Sequence, residues 1–325
     1  MVRSTQRGSA RLDFAPGPGN TAHRVKALRT LTIEVNEAQA GRTIQSLLVR
    51  ELKLSAGFVS SVKFRPAGIV LNGVRARTSA RVVVGDVLCV DVGDHRSGRR
   101  SFEPVDIPLA ILFEDPDLLI IDKPAGLPVH HSGLRSESPT VGDAVASYLG
   151  ADAVFHAVSR LDRGTSGVMC LAKSGYIHDR LRRQLHTSDY QREYLAVVVG
   201  TPDPPAGVVE LGIVRETGHS SKRLVSPDGA ASQTEYETIT AGGGLSLLRV
   251  TPRTGRTHQI RVHLAAIGCP LAGDWLYGRA DDSLIARPAL HSSVLRLKHP
   301  VTGERICVEA RLSEDLRLLI GRITD

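Results

Sequence analysis

The spacing of apolar positions changes along this chain, and each change marks an element. Between Gly41 and Leu54, Ile44, Leu47, Leu48 and Leu52 recur at helical spacing, which predicts an amphipathic helix. Thr32 to Val35 is a short strand before it. Ser55 caps a second short helix that buries Phe58, Val59 and Val62. Ile69-Val70-Leu71, Asn72-Gly73 and Val74 read as a hairpin, because Asn-Gly accepts the backbone angles of a two-residue turn. Arg81 to Val84 and Val87 to Val92, joined across Gly85-Asp86, are the last strands of this small α/β unit, residues 29–95.

A second, larger region, 105–325, has a different texture. Leu118-Leu119-Ile120-Ile121 is a continuous apolar run, hence a strand covered on both faces. Val168 to Ala172 is another strand, and Leu245 to Thr251 a third. In Arg192 to Gly200, alternation puts Arg192, Tyr194, Ala196 and Val198 on one face. Helices are predicted over Thr140 to Leu149, with Thr140 as cap, and over Gly175 to His186, too basic for a core. A closing helix runs from Leu312 to Ile323. Val208 to Glu237 holds strands broken by the polar stretch from Gly218 to Arg223. Residues 96–104 are polar, with Gly and Pro, and read as a linker. Residues 1–28 have no apolar period and carry Arg3, Arg7, Arg11, Arg24 and Lys26 against Asp13 alone. They read as a flexible basic tail: a nucleic-acid-contacting arm, an organelle transit peptide, or an extension without a role.

Composition narrows the class. No apolar run approaches the roughly 20 residues of a membrane helix, so no membrane partner is expected. The formal charge is +7, and 34 Arg stand against 7 Lys. That balance favours an anionic partner, and Arg suits phosphate forks and base stacking; a GC-rich coding sequence also raises Arg. Cys89, Cys170, Cys269 and Cys307 are far apart, and Cys89 and Cys170 fall inside apolar segments. Buried, reduced thiols in a reducing compartment are expected, and a zinc site is not. His258 and His263 are five apart, which suits neither one helical face nor one strand face, and this also argues against metal.

The stretch with the most chemistry is Ser159-Arg160-Leu161-Asp162-Arg163-Gly164-Thr165-Ser166-Gly167. Lying between apolar runs, it must be a loop, because Gly supplies unusual angles and Asp, Thr and Ser bond to nearby backbone. Asp162 is expected at a sheet edge, flanked by Arg160 and Arg163, which would keep the carboxylate ionised and hold it in fork geometry. On its own, such an Asp is more often a turn former than a catalyst.

The whole string resembles the signature loop of the RluA-type pseudouridine synthases, His-Arg-Leu-Asp-(Arg/Lys)-Asp-Thr-Ser-Gly, with Ser159 in place of the His and Gly164 in place of the second Asp. Asp122-Lys123-Pro124-Ala125-Gly126-Leu127-Pro128-Val129-His130 resembles the family's first motif. Arg192 to Gly200 is similar to its Lys/Arg-x-Tyr-x-Ala-x-Val-x-Gly run, and Gly255-Arg256-Thr257-His258-Gln259-Ile260-Arg261-Val262-His263 to its third motif. Leu271 to Gly278 resembles the following Gly-Asp-x-x-Tyr-Gly segment, and Leu290-His291-Ser292 and Leu297 to Pro300 continue the match. The resemblance covers about residues 30 to 320 in the family's motif order.

It implies isomerisation of uridine in RNA to pseudouridine, with Asp162 as the essential residue, Arg261 paired to it, and Tyr194 stacking on the base and handling a proton. It implies substrate binding by Arg160, Arg163, Thr165, Lys123, Arg256 and His258. Lys123 reads either as a contact to phosphate or a loop carboxylate, or as a surface Lys on a rigid Pro-Gly turn. The implied fold is α+β: a mixed, mainly antiparallel central sheet with flanking helices, plus a small S4-like RNA-binding unit at 29–95. No cofactor is expected, and the chain is expected to be a cytoplasmic monomer. Ribosomal large-subunit RNA is the expected substrate and transfer RNA the alternative. The Ser159 and Gly164 departures put substrate choice in question. A non-catalytic RNA-binding or ribosome-assembly factor would keep the basic charge but tolerate loss of Asp162. A hydrolase would need a nucleophile motif that the sequence lacks.

Overall fold

A computed structural model describes residues 29–93, 102–131, 138–150, 154, 156–218 and 222–324. The expected tail, most of the expected linker and part of the polar stretch after Gly218 lie outside the described residues. The chain divides into two compact units. One holds the N-terminal region through Arg100 together with residues 174–180, and the other holds the rest.

The smaller unit follows the sequence closely. Its elements are β1 (Thr30–Glu34), α1 (Ile44–Arg50), α2 (Ala56–Val62), β2 (Ile69–Leu71), β3 (Val74–Arg75) and β4 (Val87–Asp91). The strands form one sheet in the order β1-β4-β2-β3. Helix α1 begins at Ile44, not Gly41, because Thr43 caps it by accepting from the Ser46 amide. Leu52, which lies past the helix end, is nevertheless buried with Ile44, Leu47 and Leu48. Ser55 caps α2 through the Phe58 amide, and Asn72 and Gly73 turn the hairpin with positive φ. Asp86 braces that turn: Asn72 Nδ2 donates to its carboxylate at 2.7 Å and the Val83 amide at 2.8 Å. These bonds, the Val83 one first, hold its carboxyl below the usual range. The predicted strand at Arg81–Val84 does not form. Arg81 makes one bridge, to Thr43, and Val83 and Val84 are exposed.

The larger unit contains β5 (Ala110–Glu114), β6 (Leu118–Lys123), α3 (Val141–Leu149), β7 (His156–Ala157), β8 (Ser166–Ala172), α4 (Gly175–Gln184, entering it at Leu181) and β9 (Tyr190–Val199). It continues with β10 (Ala206–Glu210), β11 (Ile213–Arg215), β12 (Arg223–Val225), β13 (Gln233–Gly242) and β14 (Leu245–Pro252). The last elements are α5 (Gln259–Ala266), β15 (Leu290–Lys298), β16 (Arg305–Glu309) and α6 (Glu314–Thr324). The main path of the large sheet is β10-β13-β14-β9-β15-β8-β6-β5. Its pairs are antiparallel except β15 with β8, which is parallel. The expected mixed, mainly antiparallel sheet is therefore present.

Alternation along β9 sorts two apolar layers. Tyr194, Ala196 and Val198 join one cluster with Leu119, Ile121, Met169 and Leu248, while Val197 belongs to another with Leu247, Ala289 and the α6 residues Leu316, Leu319 and Ile323. Helix α4 is less polar in role than its charges suggest, because Tyr176, Ile177 and Leu181 lie along one buried stripe. All four cysteines are free; Cys170 and Cys269 are buried, but Cys89 is half-buried and Cys307 exposed. Burial pushes the Cys170 thiol up to about 12.

Candidate active site

The Asp162 loop enters β8, which lies between β15 and β6. Asp162 therefore stands at the start of an interior strand, not at a sheet edge as expected. Apolar and polar contacts both fix the loop. Leu161 is buried in the core cluster beside Asp162. The Thr165 amide donates to the Asp162 carbonyl at 3.1 Å, and Thr165 itself is buried. Just beyond it, Gly167 sits with φ +107 where an added Cβ would lie 2.1 Å from the Ser292 carbonyl oxygen. Only glycine allows β8 and β15 to approach so closely here.

The turn after β6 supports the loop from another side. The Gly126 amide donates to the Arg163 carbonyl at 2.8 Å, and Arg163 Nε donates back to the Gly126 carbonyl at 2.9 Å. Lys123 is fully buried, and its ammonium donates to the carbonyls of Pro124 at 2.8 Å, Leu127 at 2.9 Å and Arg163 at 3.4 Å. This corrects the surface reading of Lys123, while the loop carboxylate of Asp162 does act on its charge. Lys123 is not a surface residue, and an ammonium enclosed by three carbonyls is not presented to a phosphate. It ties the turn to the Asp162 loop. Burial lowers its pKa to about 7, and the Asp162 charge only partly offsets this.

The cation at Asp162 comes from α5, not from the neighbouring arginines. Arg261 Nη1 lies 3.6 Å from Asp162 Oδ2, and His258 Nε2 lies 4.0 Å from the same oxygen. The Arg261 side chain is 7% exposed and that of Asp162 26%, so the carboxylate faces an opening while its partner is enclosed. Arg160 and Arg163 are exposed, and the described contact of the Arg163 side chain is with Gly126. Arg256 is also exposed, with Nε donating to the Ala231 carbonyl at 3.3 Å.

Arg261 is itself gripped from behind. Its Nε and Nη2 each donate to Asp274 at 2.7 Å, a bidentate fork buried completely on the Asp side. Burial alone would lower the Arg261 pKa, but the Asp274 bond and charge, with Asp162, raise it, so the guanidinium remains charged. Its carbon also lies 5.0 Å from the centre of the Tyr277 ring. The Asp274 carboxylate further accepts from the amides of Leu276 and Tyr277.

Helix α5 begins at an unusual residue. His258 occupies the N-cap with φ 56, a left-handed conformation uncommon outside glycine, and makes no side-chain cap bond. Gln259 instead ties the preceding loop to the helix start: its Oε1 accepts from the Arg256 amide at 2.9 Å and Thr254 Oγ1 at 2.7 Å. His258 is thereby released toward the pocket, its Nδ1 2.9 Å from the Tyr277 hydroxyl. Burial lowers its pKa, with Arg261 and Arg223 acting the same way against Asp162 and Asp274. His263 points elsewhere: its ring is buried, with Nδ1 2.9 Å from Thr234 Oγ1 and Nε2 3.0 Å from the Leu211 carbonyl. Among the described residues no group of three His, Cys, Asp or Glu side chains is arranged to hold a metal ion.

Tyr194 is buried on β9, opposite Ser292 of β15, which in turn pairs with Gly167 of β8. Burial raises its pKa, and the Asp162 charge adds to this, so the phenol is protonated. The structure thus brings Arg261 and His258 to Asp162, places buried Tyr194 where the Asp162 charge reaches it, and uses Lys123 and Thr165 to shape the loop. Asp274 and Tyr277 complete the site. The sequence alone assigns neither of them a role, although a Gly-Asp-x-x-Tyr-Gly run after a motif Arg was the available signal.

Comparison with known proteins shows what the chain as a whole is similar to. The RNA pseudouridylate synthase family pattern matches residues 117–266, which include Asp162, Tyr194 and Arg261. A Mycobacterium bovis protein named as an uncharacterized RNA pseudouridine synthase is 36% identical over 298 residues, covering 88% of this chain and 96% of its own. The ribosomal large subunit pseudouridine synthase D of Xanthomonas campestris is 34% identical over 306 residues, covering 90% and 92%. Among solved structures, human RNA pseudouridylate synthase domain containing 4 aligns with TM-score 0.54 at 27% identity, over 66% of this chain and 93% of that one.

Proposed function

The chain belongs to the RNA pseudouridine synthase family, and on that premise we propose that Asp162 is the residue on which its chemistry turns. The protein is an isomerase that converts uridine in RNA to pseudouridine. The reaction breaks the N1–C1′ bond, forms C5–C1′, and moves the C5 proton away. A carboxylate can serve it only if it is ionised, aimed and open to the base. The observation that carries the assignment is the contact of Arg261 with Asp162: an enclosed guanidinium 3.6 Å from a partly exposed carboxylate.

In this reading Tyr194, a buried phenol kept protonated, lies against the base and manages a proton. A uracil held in a stem or loop must be extruded to reach such a pocket. The exposed guanidiniums of Arg160, Arg163 and Arg256 are suited to neighbouring phosphates. The smaller unit acts as an S4-like RNA-binding element. Its exposed Lys63, Arg75 and Arg77 support this.

The substrate we assign is ribosomal large-subunit RNA, because two relatives at 34% and 36% identity carry the name ribosomal large subunit pseudouridine synthase D. The assignment is tested with unmodified large-subunit RNA and transfer RNA transcripts carrying 5-tritiated uridine. Tritium release from the ribosomal transcript alone is expected. Release from transfer RNA alone would reassign the substrate.

A further inference from the structure

The Tyr277 hydroxyl has two described partners of opposite constraint. The Arg223 backbone amide reaches it at 2.8 Å and can only donate. His258 Nδ1 lies 2.9 Å away on the other side. The amide can only donate to the hydroxyl oxygen, so of the two described partners Nδ1 is the one that can accept the hydroxyl's own proton. An imidazole that accepts at Nδ1 must, when neutral, carry its proton on Nε2. That Nε2 is the atom facing Asp162 Oδ2, at 4.0 Å.

We propose that Tyr277 is a positioning residue that sets the tautomer of His258, so that His258 presents an Nε2–H donor to the Asp162 carboxylate. This deepens, and rests on, the reading of Asp162 as the reacting carboxylate. The order of donation runs from the Arg223 amide to Tyr277, from Tyr277 to His258, and from His258 toward Asp162. Arg261 and His258 then approach the same oxygen, one as a fixed charge and one as a neutral donor. At 4.0 Å the Nε2–H is aimed at the carboxylate from beyond hydrogen-bond distance, and closes on it without adding another positive charge once the loop tightens around substrate.

Two further features fit this role. The left-handed backbone at His258 is a strained conformation, and the surrounding bonds of Gln259 hold it there. The strain gives α5 no cap bond but aims the ring at Asp162. Burial of His258, together with the nearby charges of Arg261 and Arg223, favours the neutral ring that the relay needs.

The test uses the full-length protein labelled with 15N-histidine, with the His258 signals assigned by comparison with His258→Gln. We expect native His258 to be protonated on Nε2 and bare at Nδ1. Tyr277→Phe keeps the ring beneath Arg261 and removes only the hydroxyl. It should erase that preference and lower kcat about tenfold with KM unchanged, the order expected for one lost orienting bond. In a His258→Ala background, Tyr277→Phe should add no further loss. Protonation on Nδ1 in the native protein, or an unchanged tautomer in Tyr277→Phe, overturns the proposal. So does an equal loss of kcat in the His258→Ala background, which would mean a structural defect. If the native protein releases no tritium from any RNA, the isomerase reading fails separately, and the spectra still decide the relay.

Discussion

Asp274 grips Arg261 through two 2.7 Å hydrogen bonds, and that grip leaves Nη1 as the guanidinium nitrogen turned to Asp162. The pair is a buried fork whose open prong faces the Asp162 carboxylate. Removing one partner strands a buried charge, so Asp274→Ala should cost about 3–5 kcal/mol of stability. Arg261→Lys should fold better but lose the fork, since an ammonium cannot serve Asp274 bidentately and still extend to Asp162. We expect its kcat to fall by about a hundredfold, the order of losing one preorganised electrostatic contact. Steady-state kinetics and denaturant unfolding on both variants check this; native kcat in Arg261→Lys would contradict it.

Lys123 gives the protein a pH-dependent element. Its folded value of about 7 lies below its ordinary 10.5, chiefly through burial. Between these values the unfolded chain binds more protons than the folded one, so this group makes stability rise with pH. Cys170 acts oppositely above its ordinary 9.0, because its folded value is raised. The window to examine is therefore pH 7 to 9. Denaturant midpoints of the native protein should climb more steeply across it than those of Lys123→Met. Parallel pH profiles would show that Lys123 does not titrate there.

Gly164 and Gly167, on either side of Thr165-Ser166, should respond differently. Gly167→Ala forces a Cβ to 2.1 Å from the Ser292 backbone oxygen at a positive φ, so the variant should lose soluble folded protein. Gly164→Asp restores the residue usual in the family. Its Cβ would meet Pro288 Cδ at 3.0 Å, a contact relieved by a small shift. That variant should fold within about 1–2 kcal/mol of native. Expression and thermal melts compare the two directly; equal behaviour would contradict the close approach of β8 and β15.

The smaller unit makes a prediction in salt. Lys63, Arg75 and Arg77 are exposed on it. Replacing all three with Gln should weaken RNA binding and reduce the slope of log affinity against log salt by about 0.7–0.9 for each phosphate that is no longer neutralised. An unchanged slope in filter-binding titrations would remove this unit from the RNA interface.

What the sequence made legible was local and periodic. Ser55, Thr140 and Asn72-Gly73 carry capping and turn chemistry that is local to them, and the alternation of β9 sorts its residues into the two layers seen. Where position along the chain misleads, distant contacts decide. The local sequence pointed Asp162 to its neighbouring arginines, while the family resemblance pointed it to Arg261, and Arg261, contributed by α5 from far along the chain, is the cation 3.6 Å from it. The sequence left Lys123 between a surface residue and a contact to phosphate or a loop carboxylate, because its carbonyl partners come from a turn and a loop that only the fold brings together. Arg81 to Val84 has the composition of a strand, yet it makes a single bridge, Arg81 with Thr43, and stays outside the β1-β4-β2-β3 sheet. Asp274 and Tyr277 gain their roles only once α5 has been placed against the turn that carries them.

The most direct test of the central claim is single-turnover tritium release from unmodified ribosomal large-subunit RNA carrying 5-tritiated uridine, with native protein and Asp162→Asn side by side and RNA affinity measured in parallel. Release by the native protein, none by Asp162→Asn, and affinities within several-fold are predicted. Turnover near native in Asp162→Asn would contradict the assignment of Asp162.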